Sequence, residues 1–154
     1  MIQTLEPIVR DHPFFYGMDD DDIELIAGCA KNARFDEGRI LFQQADAADQ
    51  FYLIRKGLVA LQCMVPHRGL VTVQTVGPDE VLGWSWLFPP HRWRFDARAQ
   101  QQTLALVFDG KCLRRKCDED HSLGYEMYKR FTQIVVGRLE ATRLQLLDLY
   151  GKRA

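Results

Sequence analysis

The chain has 154 residues, 47% of them apolar, and a formal net charge of -1. This is the length of one ordinary domain with a sizeable core, and the balanced charge excludes the broad basic field of a nucleic-acid binder. No apolar run approaches the roughly 18 residues of a membrane helix, and the first residues, MIQTLEPIVRDHPFF, lack the basic start and apolar run of a signal peptide.

The first 32 residues are predicted to be helical. Leu5, Ile8 and Val9 have helical spacing, and His12-Pro13 ends that segment. The acidic run Asp19–Asp22 then opens a second helix through Ile23, Leu25, Ile26 and Cys29, where carboxylates cap free N–H groups and favour the positive end of the dipole.

From 33 to 108 the apolar period changes to two. The predicted strands are Ala33–Phe35, Ile40–Phe42, Phe51–Arg55, Leu58–Val65, Leu70–Val76, Val81–Leu82, Trp93–Ala99 and Thr103–Phe108, punctuated by Gly, Pro and Asp. Such a series of short strands and tight turns predicts an antiparallel β-roll or jelly roll. Val81 to Ala99 departs from the pattern. It carries all three tryptophans, Trp84, Trp86 and Trp93, with Pro89-Pro90 and Arg92, Arg94 and Arg98. A connection that rich in large residues is the candidate site.

From 109 to 150 the period is helical again. A short helix spans about Lys111–Cys117, whose basic residues meet Asp118–Asp120 at once and read as a solvated helix end. Ser122 is placed to cap a longer helix running to about Tyr150. Along it Tyr125, Tyr128, Thr132, Val135, Leu139, Thr142, Leu146 and Leu149 alternate spacings of three and four, a heptad seam that packs on the roll, on a second copy, or on both. The four cysteines, Cys29, Cys63, Cys112 and Cys117, have no C-x-x-C spacing and are expected to be reduced thiols of a cytoplasmic protein. His12, His67, His91 and His121 are scattered, with no nucleophile in an activating context, so no enzyme is expected.

The order of helices, roll, short helix and long helix is carried by four local motifs: Arg34–Phe42, Phe51–Val59, Gly77–Gly83 and Gly137–Arg143. Together they resemble the cyclic nucleotide-binding domain of the catabolite activator protein superfamily over about residues 12–150. The resemblance implies an α+β fold, with an eight-stranded antiparallel roll between N-terminal helices and a long C-terminal helix. It implies a regulatory sensor module, with cyclic AMP or cyclic GMP as ligand and a homodimer formed through the long helix. It also implies a phosphate-binding cassette opening at Gly83, in which the next residue is an acid for the ribose 2′-hydroxyl, a later arginine holds the cyclic phosphate, and a hydroxyl of the long helix meets the base. The family's transcription factors continue into a helix-turn-helix, which nothing here supplies, so direct nucleic-acid binding is not expected.

The chain departs from that pattern at both charged anchors. Trp84 stands where the acid belongs and offers no acceptor. For the arginine, counting forward from Gly83 gives Arg94 and counting back from Ala97-Arg98-Ala99 gives Trp93. Strand alternation puts Trp93, Phe95, Ala97 and Ala99 on one face and Arg92, Arg94, Asp96 and Arg98 on the other. The apolar face must point inward, which puts Trp93 in the arginine's place unless a bulge re-aims Arg92 or Arg94. Two readings stay open: indoles that fill a disused pocket and leave a ligand-free interaction or dimerisation module, or a pocket that holds a ligand, either a cyclic nucleotide stacked on the indoles with Ser85, Arg92 or Arg94 on its phosphate, or a more apolar molecule. Thr142 is either the base-contacting hydroxyl or a polar residue that sets register in the seam.

Overall fold

The computed structural model describes residues 5–151; the expectation for residues 1–4 lies outside them. Helix α1 (Glu6–Asp11) ends at His12, a short 3₁₀ turn follows at Pro13–Phe15, and α2 (Asp20–Ala27) begins at the acidic run. Asp20, Asp21 and Asp22 occupy the first turn of α2, but Asp19 at the N-cap makes no side-chain capping bond, so the run acts there through the dipole alone.

Eight strands follow: β1 (Ala30–Phe35), β2 (Ile40–Phe42), β3 (Gln50–Lys56), β4 (Val59–Val65), β5 (Gly69–Val76), β6 (Val81–Leu82), β7 (Asp96–Ala99) and β8 (Thr103–Asp109). They form two antiparallel four-stranded sheets, ordered β1-β8-β3-β6 and β2-β7-β4-β5. Helices α3 (Gly110–Glu119) and α4 (His121–Gly151) complete the α+β fold. Among the described residues no helix is long and apolar enough to cross a membrane.

Alternation along β3 and β8 sorts the core into two halves. Tyr52, Ile54, Ala105 and Val107 turn into the roll to meet Val59, Leu61, Leu82, Trp93, Ala97 and Ala99. Phe51, Leu53, Leu106 and Phe108 turn out and meet the helices. On that side Phe51 stacks on Phe108 at 4.5 Å and on Trp86 at 4.9 Å, while Phe131 of α4 meets Phe51 edge-on at 5.2 Å. Arg130 of α4 donates to the carbonyl of Phe14 at 2.6 Å and ties the N-terminal segment to this core.

Three expectations are corrected, and the alternatives left open for the seam of α4 are narrowed. The strand expected over Trp93–Ala99 begins only at Asp96, because Trp93 bonds to the β2–β3 loop instead of the ladder: its N–H donates to the Asp46 carbonyl and its carbonyl accepts from Ala45. The cap of α4 is Asp120 in place of Ser122; its carboxylate accepts from the N–H groups of Ser122 and Leu123 at 3.1 and 3.2 Å. The seam of α4 does not pack on the roll. Leu123, Met127 and Phe131 do so, while Tyr125, Tyr128, Leu139, Leu146 and Leu149 are exposed. Finally, Cys29 and Cys112 are joined in a disulfide, and only Cys63 and Cys117 are free thiols. The register of β1 on β8 starts at Ala30 opposite Phe108, which sets Cys29 beside the start of α3.

Two outcomes test this packing. Phe131→Ala should cost about 3–5 kcal/mol in urea unfolding, as removal of a fully buried ring does, whereas exposed Leu144→Ala on the same helix should change stability by less than about 0.5 kcal/mol. His12 is buried, accepts from the Phe14 N–H at 3.2 Å, and is held below the ordinary value of 6.5 by that burial, which the nearby Asp79 only partly opposes. The unfolded chain therefore takes up the proton first, and stability falls as pH drops below 6.5. Urea midpoints between pH 7.5 and 5.5 should fall more in the wild type than in His12→Asn.

Candidate functional site

Strand β6 is only two residues long, and the chain leaves it through Gly83 at φ +94°. That left-handed turn suits glycine, and space as well as conformation forbids a side chain there. A Cβ at 83 would lie 2.6 Å from the Trp93 ring. A short turn over residues 84–88 follows, with the Leu87 N–H donating to the Trp84 carbonyl at 3.1 Å. The Pro89–Pro90 bond is cis, and Arg92 bridges to Ala47 before the chain returns at Trp93.

The indole of Trp93 lies flat on Phe42 of β2, with centroids 3.7 Å apart and planes 10° from parallel. It is buried at 6% exposure. Arg92 and Arg94, its neighbours in sequence, are exposed. Between Gly83, Trp84, Ser85, Trp93, Arg94 and Phe95 there remains a cavity of about 70 Å³, against the roughly 300–1,000 Å³ of ordinary small-molecule pockets.

The candidate residues thus divide into three groups. Gly83 and Trp93 meet inside the roll. Arg92 lies outside it, in an open groove of about 430 Å³ against Thr132 and Val135 of α4, and Trp84, Ser85 and Arg94 border both this groove and the inner cavity. Thr142 joins neither group. It lies in a separate cleft between α4 and β5, beside Arg138 and Thr72, and its hydroxyl donates to the Arg138 carbonyl at 2.8 Å.

Several residues that shape the site were not among the candidates read from the sequence, although Phe42, Glu80, Tyr128 and Arg138 lie in its motifs or its seam. Phe42, the stacking partner of Trp93, is one. Arg114 of α3 donates to the carbonyl of Trp86 and pairs with Asp49 at 3.2 Å, holding the 84–88 turn from below. Tyr128 of α4 holds it from the side, donating to the Leu87 carbonyl at 3.4 Å with its ring against Phe88. Arg138 pairs with Glu80 at 3.1 Å, and Glu80 accepts from the Gly77 N–H, so α4 also grips the turn that leads into β6. A further cleft of about 600 Å³ opens on the other side of the Trp93–Phe42 stack. There the Tyr52 hydroxyl donates to Gln50 at 3.1 Å and is pushed up to about 12 by burial, so it stays a neutral phenol.

The model of the cyclic nucleotide-binding domain matches residues 33–120, more than half the chain. No curated protein matches the sequence. Among solved structures, a Geobacter metallireducens GS-15 protein assigned as a cyclic nucleotide-binding protein aligns with TM-score 0.80 and 26% identity, over 90% of this chain and 99% of that one. A cyclic nucleotide-binding domain from Methylobacillus flagellatus KT aligns with TM-score 0.79 and 17% identity, over 95% of this chain and 86% of that one. The Catabolite Activator Protein of Thermus thermophilus aligns with TM-score 0.68 and 21% identity, over 87% of this chain and 61% of that one. With its two sheets, its glycine-led turn after β6 and its long last helix, the chain belongs to the cyclic nucleotide-binding domain family.

Proposed function

We propose that this protein is a regulatory module of the cyclic nucleotide-binding fold whose cassette is closed by its own indole. Cyclic AMP and cyclic GMP then bind weakly or not at all, and the module acts as a homodimer through α4. The observation that carries the reading is the position of Trp93. Its ring occupies the space over Gly83 where the backbone of a cassette would receive a phosphate, and the cavity left is about 70 Å³. The two charged anchors expected from the resemblance are also absent from their expected places: Trp84 follows the glycine, Trp93 stands where the arginine belongs, and Arg92 and Arg94 are exposed, with Arg94 only bordering the small cavity. A hydrogen bond to a charged group contributes roughly 1.5–3 kcal/mol, so losing two weakens binding by several powers of ten.

One observation favours a second reading. Ser85, Arg92 and Arg94 stand around the outer groove with Trp84, which supplies cations, a hydroxyl and an indole face to a phosphate-bearing ligand held outside the roll.

Thermal melts separate the readings. A ligand at a hundred times its Kd adds about 2.7 kcal/mol to stability, which for a chain of this size is about 5–10 °C. Millimolar cyclic AMP or cyclic GMP should leave the wild-type midpoint unchanged, and Trp84→Glu with Trp93→Arg should gain a ligand-dependent rise. A wild-type shift of several degrees would overturn the closed-cassette reading, and its loss in Arg94→Ala would establish the outer groove.

The dimer is tested separately. Sedimentation should give twice the 17.9 kDa of one chain. Leu139→Glu with Leu146→Glu, at exposed seam positions, should return the mass to that of one chain, with any loss of helix content confined to the last turns of α4.

A further inference from the structure

The register of β1 on β8 ends at Ala30 and Phe108, so the next residues, Cys29 and Asp109, face each other. The Asp109 N–H donates to the Cys29 carbonyl at 2.8 Å. Asp109 also caps α3, accepting from the Cys112 N–H at 3.1 Å. This places Cys112 in the first turn of α3, with its Cα 6.1 Å from that of Cys29 and its sulfur bonded to the other across 83 residues of sequence.

Both cysteines line the open cleft of about 600 Å³, together with Lys111, Asp49 and Lys31. A small thiol reaches the bond from solvent through that cleft. The remaining cysteines do not compete. Cys117 is buried and pushed up to about 11, first by that burial, so it stays a thiol. Cys63 lies on β4, in the opposite sheet.

Two residues beyond Cys112, Arg114 reaches from α3 to the carbonyl groups of Trp86 and Ala48 and to the Asp49 carboxylate. The disulfide thus anchors the same helix that holds the 84–88 turn. We propose that Cys29–Cys112 is a thiol–disulfide switch, in which the bond latches α3 to the end of β1 and its reduction by low-molecular-weight thiols loosens the grip of Arg114 on that turn. One thiolate attacks a sulfur, forms a mixed disulfide and releases the other cysteine. A second thiolate attacks the mixed disulfide and leaves as the oxidised dimer of the reagent. The pair takes up two electrons and two protons and becomes two thiols.

The full chain tests this directly. Titrated in denaturant, protein equilibrated with oxidised glutathione should show two thiols, and protein treated with dithiothreitol four. Reduction should speed amide hydrogen exchange by about tenfold in α3 and in residues 84–88, as expected of a locally loosened unit, and reoxidation should restore it. Cys112→Ser should show the fast exchange without reductant. Four thiols after glutathione treatment would overturn the proposal, as would exchange at 84–88 that does not respond to reduction. The wild-type comparison decides even where the variant fails to fold.

Discussion

The space above Gly83 is the constraint from which the site follows. Its positive φ carries the chain out of β6 and into the turn, and the Trp93 ring fills the room a side chain would need. A ring held there needs a flat partner, which Phe42 supplies. It also needs a backbone placed to deliver it, which the bonds from residue 93 to Ala45 and Asp46 supply. Those bonds take Trp93 out of the ladder, so β7 starts late and Arg92 and Arg94 are left outside. One stacked indole therefore accounts for the short strand, the small cavity and the exposed arginines.

The turn that Gly83 opens is not free to move alone. It is held by Arg114 from α3 and by Tyr128 from α4, while Arg138 pairs with Glu80 just before β6. The Arg138–Glu80 pair is partly exposed and contributes at most about 1 kcal/mol. The buried contacts of Trp86, stacked on Phe51 and edge-on to Phe131, matter more. In a ligand-responsive domain these contacts would report the state of the pocket to the helices. The contacts of Arg114 and Tyr128 with residues 86 and 87 tie α3 and α4 directly to that turn.

Much of this was legible in the chain. The change of period at residues 33 and 109 gave the roll and its flanking helices, and alternation through Trp93, Phe95, Ala97 and Ala99 separated an inward face from the arginines. The rest depended on non-local pairing. Cys29 and Cys112 meet only because β1 and β8 share a register. Phe42 meets Trp93 because β2 and β7 are neighbours in one sheet, and Arg114 finds the Trp86 carbonyl from another element, which local spacing does not encode. Asp120 caps α4 in place of Ser122 because a carboxylate two residues earlier reaches two N–H groups at once. Thr142 had the right residue type for a base contact, yet the helix carries it past the turn to β5.

The length of α4 decides what its exposed face means. At about 1.5 Å per residue, its 31 residues extend about 46 Å, but its fully buried positions end at Phe131. Beyond Arg138 the side facing β5 offers Ala141, Thr142 and Gln145, which form a polar cleft instead of a core. The apolar residues there, Leu139, Leu144, Leu146, Leu147 and Leu149, face away from the roll. A single helix of that length owes little to its own propensity in water and depends on packing of an apolar face. The roll does not provide that packing for the last turns. The seam through Leu139, Thr142, Leu146 and Leu149 has the three-and-four spacing that two parallel helices bury between them. A second α4 along that seam would cover Leu139, Leu146 and Leu149 and stabilise the distal turns in the same step, which is the physical ground for the proposal that this helix is the dimer element.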